Sequence, residues 1–208
     1  MRGFDILELI IESSDLKDYL KESSVVNFSN PLIKEAITDL FNDRQSEIDK
    51  AKTAFEFVRD KISHSWDIQS SKITCKASEV LQHKEGICYA KTNLLAALLR
   101  SQGIPTGFCY QRLMIFDTPD KGYSLHTLNG VYLSSMDKWV RLDARGNKPG
   151  VQAEFSINEE ILAFKVQESF DEKDYPIVYT QPNPKTIATL EENTNALDMY
   201  KFRLPDNL

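Results

Sequence analysis

Cysteine is scarce in this chain. Only Cys75, Cys88 and Cys109 occur, with no CxxC pair and no Cys/His spacing suited to a metal. Neither a disulfide framework nor a structural metal site is expected, and Cys75 and Cys109 read as reduced structural thiols. No apolar run approaches the ~20 residues of a membrane span. The opening Met1-Arg2-Gly3-Phe4-Asp5-Ile6-Leu7-Glu8 carries acid where a secretory leader needs a long apolar stretch. Basic residues form no run, and 25 of them stand against 31 acidic ones, for a formal charge of −6. A phosphate-backbone binder is not indicated. Internal repeats and low-complexity tracts are absent too. The expectation is a cytoplasmic protein with no nucleic-acid or membrane partner, no cofactor and no metal. Its oligomeric state is unknown from composition.

What is present fits one compact enzyme. A hydrophobic content of 41% and a charged content of 27% over 208 residues are ordinary for a globular domain. That length can bury a substantial core without staples. Against this background one constellation stands out. Gly86-Ile87-Cys88-Tyr89-Ala90 is followed by Leu125-His126 and then by Arg141-Leu142-Asp143. Each residue alone has a bland reading: a buried thiol, a structural histidine, a turn aspartate. Together, in this order, they match a thiol nucleophile, its base and an orienting carboxylate.

Local patterning supports that reading. Cys88 to Arg100 reads as a helix with Leu94, Leu95, Leu98 and Leu99 on one face. Gly103 and Pro105 supply a stop, and Gly86 a sharp entry turn. Cys88 then sits in the first turn, where free N–H groups and the helix dipole favour a thiolate and can hold an oxyanion. Trp66, Tyr89 and Gln111 are candidates for the second oxyanion donor. Leu125–Leu133 and Lys138–Asp143 read as strands joined by Ser134-Ser135-Met136-Asp137. If Leu133 faces Lys138, His126 faces Arg145 and Asp143 is its diagonal neighbour, ~7–8 Å away between Cα atoms. A one-residue slip would separate them.

Three stretches organise the rest. Residues 1–44 read as helical with extended breaks, with Ile33, Ile37, Leu40 and Phe41 as an amphipathic stripe after Asn30-Pro31. Residues 45–150 carry the chemistry. A helix from Ser46, with Asp49 in capping-box position, buries Ile48, Ala51, Phe55, Val58 and Ile62. Ser78 is the expected cap of a short helix ending near Gly86. Thr106 to Phe116 alternates as a strand, and Trp66 could wall a groove or cap the core. Residues 151–208 form an extension that wraps the core, with strand then helix over Glu154–Val166. A last helix from Asn183-Pro184 carries Ile187, Leu190, Thr194 and Leu197 on one side.

At these residues the chain resembles the transglutaminase-like superfamily, the papain-related cysteine enzymes with Cys-His-Asp order. The resemblance is carried by Ala77-Ser78-Glu79-Val80-Leu81, by the Cys88 block, and by Leu98-Leu99-Arg100-Ser101-Gln102-Gly103-Ile104-Pro105. Leu125-His126, Trp139-Val140-Arg141-Leu142-Asp143 and the upstream Phe57-Val58-Arg59-Asp60-Lys61-Ile62 extend it over about residues 45–150, with looser similarity to bacterial cysteine proteases of this kind. It implies an α+β, papain-like transglutaminase core, with helices packed on an antiparallel β-sheet and the nucleophile at a helix N-terminus. It also implies one domain over residues 1–208, with Cys88 as nucleophile, His126 as general acid and base, and Asp143 as orienter. Many members carry His-Ala-Trp where this chain has His126-Thr127-Leu128. The expected function is cleavage of an amide or peptide bond through a thioester, on a peptide, protein or small amide substrate. Two alternatives stay open: an amine-accepting acyltransferase (a protein-glutamine transglutaminase), and a non-catalytic binding module.

Overall fold

In the computed structural model, which describes residues 7–208, the chain opens with a short strand β1 (Ile10–Ile11) and a 3-10 turn at Leu16–Leu20. Residues 1–6, most of the stretch read for a leader, lie outside the described residues. Helix α1 (Pro31–Leu40) begins at Asn30, whose side chain accepts from the Leu32 N–H. Of its expected stripe only Ile33 is fully buried, and Ile37, Leu40 and Phe41 pack at the margin. Helix α2 (Glu47–Lys61) starts in a capping box. Asp49 N–H donates to Ser46 Oγ at 3.1 Å, and Ser46 N–H returns a bond to Asp49 Oδ2 at 3.1 Å. Strand β2 (Ser63–His64), helix α3 (Ala77–His83) and strand β3 (Glu85–Gly86) follow. Ser78 is not the cap of α3. Lys76 holds the extended N-cap conformation, and Glu79 reaches back to the N–H groups of Cys75 and Lys76. Ser78 bonds Asn27 instead.

Helix α4 (Cys88–Ser101) is buried along every face from Cys88 to Arg100, not along one leucine stripe. A helix with this environment must satisfy its polar side chains internally. Lys91 Nζ donates to the Ile62 carbonyl at 2.5 Å, and Asn93 Nδ2 to that of Cys75 at 2.9 Å. Arg100 donates to the carbonyls of Thr106, Lys21 and Thr180. Gly86 does not form the sharp entry turn into α4. The residue is extended and paired with His64 across parallel strands β2 and β3. Glycine is needed there for space, since a Cβ would stand 2.9 Å from Thr74 Oγ1 and 3.1 Å from Ala90 Cβ.

Four strands form an antiparallel sheet in the order β6 (Lys138–Leu142), β5 (Tyr123–Leu133), β4 (Thr106–Met114), β7 (Lys173–Asp174). With helices on one side of an antiparallel sheet, the class is α+β. Alternate residues face opposite sides. Phe108, Tyr110, Leu125, Val131, Leu133, Val140 and Leu142 join the large core around α4. Cys109 and Leu128 face a small second cluster with Tyr19 and Val178. That cluster depends on Gly107 and Gly130, where a side chain would run into Val178. A Cβ on Gly107 would lie 2.6 Å from both the Tyr179 carbonyl oxygen and Val178 Cγ1. Gly107→Ala is therefore expected to lower stability by about 1–3 kcal/mol, read as a lower urea midpoint at unchanged slope.

The C-terminal stretch is not built from the expected elements. Residues 154–166 contain neither strand nor helix. Their backbone is taken up by neighbours: Glu154 N–H binds the Ile161 carbonyl, and Ala163 N–H binds Asp143. Strand β8 (Ile177–Val178) pairs in parallel with β1. Helix α5 (Pro184–Glu192) ends before Thr194, and Asn195 caps a separate helix α6 (Ala196–Phe202) that carries Leu197. Among the described residues no helix is long and apolar enough to cross a membrane.

Candidate active site

The β5–β6 hairpin has the register that puts Leu133 opposite Lys138. Pairing stops at Asn129 and Leu142, so His126 does not pair with Arg145. Its partner across the sheet on the other side is Gln111. Beyond Leu142 the chain leaves the sheet and Asp143 turns onto the imidazole. His126 Nε2–H donates to Asp143 Oδ2 at 2.8 Å, with both side chains buried. The same carboxylate accepts from Ala163 N–H at 3.1 Å and from Arg145 N–H at 3.2 Å. Burial disfavours the charged carboxyl, yet His126 and the two N–H groups hold it below the usual carboxylate range.

Cys88 opens α4, and Ile87 is the N-cap without any side-chain acceptor. The Cys88 thiol lies near enough to the His126 imidazole to act on its charge. Burial pulls the imidazole pKa down, but Asp143 and Cys88 outweigh it and hold the ring well above its ordinary value. With Nε2–H committed to Asp143, Nδ1 is the nitrogen left for the thiol. Phe164 packs edge-on to the imidazole at 5.0 Å between centroids. The structure thus brings Cys88, His126 and Asp143 together. Cys75 and Cys109 lie elsewhere in the core, and burial pushes each of their thiols up to about 12.

Of the three residues considered as second oxyanion donors, two are committed. Tyr89 Oη–H donates to the Leu125 carbonyl at 2.8 Å, and Gln111 Nε2 donates to Asp174 Oδ2 at 3.3 Å. Trp66 stacks on Tyr200, with ring centroids 4.6 Å apart. Trp139 packs on Tyr19 and Tyr132.

Several contributors had no signal in the sequence. Ala163 acts through its backbone, and Phe164 lies in a stretch without periodicity. Arg145 is buried and paired with both oxygens of Asp67, which also binds Lys148 Nζ at 2.8 Å. Burial would raise the Asp67 carboxyl, but these cations bring it down to about 2. His64 is buried beside them, and burial together with the Arg145 charge drives its pKa well below the ordinary value. It is a neutral ring, stacked edge-on against Tyr200. Among the described residues no cluster of His, Cys, Asp and Glu is suited to hold a metal.

The comparisons with known proteins agree with this architecture. No curated protein matches the chain. A solved structure of a putative cysteine protease from Cytophaga hutchinsonii shares the fold, with a TM-score of 0.52 at 15% identity over 67% of this chain. The match spans 46% of that protein, so this chain corresponds to less than half of its length. The family model of the transglutaminase-like superfamily matches residues 34–144, a stretch that holds Cys88, His126 and Asp143. Because that match takes in more than half of the sequence, the chain belongs to the transglutaminase-like superfamily, a family of cysteine enzymes.

Proposed function

We propose that this chain is a cysteine-dependent hydrolase that cleaves an amide or peptide bond through a thioester on Cys88. The observation that carries the reading is the buried 2.8 Å bond from His126 Nε2 to Asp143, with the Cys88 thiol in the same neighbourhood at a helix start. His126 Nδ1 takes the thiol proton, and the sulfur attacks the substrate carbonyl carbon. The Ile87 carbonyl takes the N–H groups of Ala90 and Lys91, which leaves those of Cys88 and Tyr89 for the oxyanion. His126 passes its proton to the leaving amine as the carbon–nitrogen bond breaks. A water molecule, deprotonated by His126, then attacks the thioester and releases the acid and the thiol. Asp143 keeps the Nε2 proton in place and offsets the imidazolium charge.

Hydrolysis is preferred over amine transfer because no tryptophan stands two residues after His126, where many family members carry one. Leu128, two residues after His126, points into the small cluster under the sheet, and Trp139 packs there too. Trp66 is the tryptophan left near the site. With a glutamine-containing peptide and a large excess of a primary amine, mass spectrometry should show the hydrolysed acid as the main product. Dominance of the amine-coupled product would replace this reading with acyl transfer to amines.

A further inference from the structure

The last stretch of the chain is anchored at two segments that flank the site. It starts on the loop after β2, which neighbours the start of α4 through the pairing of His64 with Gly86. There the Ala196 N–H binds the Ser71 carbonyl at 2.8 Å. Tyr200 of α6 stacks on Trp66, meets His64 edge-on, and has Phe116 of the β4–β5 loop 6.3 Å away. The chain then reaches the second of these segments. The Pro205 carbonyl accepts from Leu125 N–H at 2.8 Å, and the Asp206 carbonyl from Arg112 Nε at 3.0 Å. Leu125 immediately precedes His126. Its N–H lies on the edge of β5 away from β4, beyond the end of β6, where the sheet offers an unpaired strand. An extended peptide binds such an edge through main-chain hydrogen bonds, and Pro205 makes one bond of that kind with Leu125.

We propose that residues 203–208 are an internal occupant of the substrate lane: they lie along the β5 edge beside His126, where an extended peptide substrate has to lie, and must leave before Cys88 is acylated. This rests on the hydrolase reading for the identity of the substrate, but not for the position of the segment. The burial of the thiol fits, since Cys88 is only 7% exposed at a site that has to admit a carbonyl. So does the neighbourhood of Tyr200, whose hydroxyl lies near both Cys88 and Arg145: burial and the Cys88 charge push its pKa up to about 12 against the lowering effect of Arg145.

The test uses the full chain with a sequence-specific protease site inserted after Phe202, a residue 75% exposed and so accessible to cutting. Alkylation by iodoacetamide is followed at each cysteine by mass spectrometry, before and after the cut. Cutting is expected to speed alkylation of Cys88 by about tenfold or more, with Cys75 and Cys109 unchanged. Excess free peptide Arg-Leu-Pro-Asp-Asn-Leu should slow it again. An unchanged Cys88 rate after the segment is released, or no slowing by the peptide, overturns the proposal. If all three thiols speed up together the core has loosened, and the uncut variant Arg112→Ala decides instead. It removes the hold on Asp206 and should give a smaller gain at Cys88 alone; no gain overturns the proposal. Alkylation needs no turnover. A chain without amidase activity that shows the selective gain keeps the strap and loses the hydrolase reading. An active chain without the gain does the reverse.

Discussion

Replacement of Cys88 by serine is expected to reduce amide hydrolysis to background while leaving the fold intact. The two side chains are nearly isosteric, and α4 is held by its buried leucines and by the Lys91, Asn93 and Arg100 bonds, none of which involve the thiol. Serine in this position keeps the geometry but not the acidity or nucleophilicity of sulfur. The same substitution should remove fast alkylation. In the native chain Cys88 should react with iodoacetamide ahead of Cys75 and Cys109 near neutral pH, because burial holds those two thiols protonated, with pKa values near about 12. Thermal unfolding of Cys88→Ser within a few degrees of the parent, with turnover retained, would remove Cys88 from the mechanism. Equal alkylation of all three native thiols would remove its special reactivity.

The second large effect belongs to Asp143. Asp143→Asn should lower turnover by roughly 10²–10⁴-fold, the range seen when a triad carboxylate becomes an amide. The new Nδ2–H would face His126 Nε2, so the ring must place its proton on Nδ1 and present a donor, not an acceptor, to the thiol. The pH profile provides an independent readout. The Asp143 charge raises the His126 pKa against the lowering effect of burial. Without that charge burial prevails, and the imidazole loses its proton at lower pH. The alkaline limb of residual activity should therefore move toward acid. A profile that keeps its alkaline limb, with activity within about threefold of the parent, would contradict the role. The linkage to stability has the same origin. The His126 contribution is fully present below the ordinary histidine pKa and is lost as pH rises through the raised folded value. That of Asp143 is present above the ordinary aspartate pKa and is lost as pH falls through its lowered one.

Much of this was legible in the residues themselves. Ser46 and Asp49 announce a helix start because a capping box is a local hydrogen-bond pattern, fixed within four residues. The Leu133–Lys138 register follows from a short loop and from side-chain alternation, again local rules. The buried fold of α4 was legible as a helix but not as a central one, since Lys91, Asn93 and Arg100 look solvent-bound until their carbonyl partners from distant segments are known. The stretch from 146 to 182 is the opposite case. Its contribution is made of backbone donors such as Ala163 N–H, and a backbone group has no residue-type signature. The aromatic group around Tyr200 depends on α6 lying across the loop at Trp66, a packing choice that no periodicity records.

The bond from Ala163 to Asp143 also has a meaning in time. A chain is made from its N-terminus at about 5–20 residues per second. Cys88, His126 and Asp143 therefore emerge before Ala163 and Phe164, which complete the surroundings of the carboxylate and the imidazole. Later still comes Val178, which closes the underside of the sheet against Tyr19 and pairs with β1 near the start of the chain. Until then the thiol has its partners in sequence but not the packed, water-poor setting that makes them a machine. On the proposed hydrolase reading, the thiol is thus inert toward amide bonds while the chain is nascent beside other nascent chains.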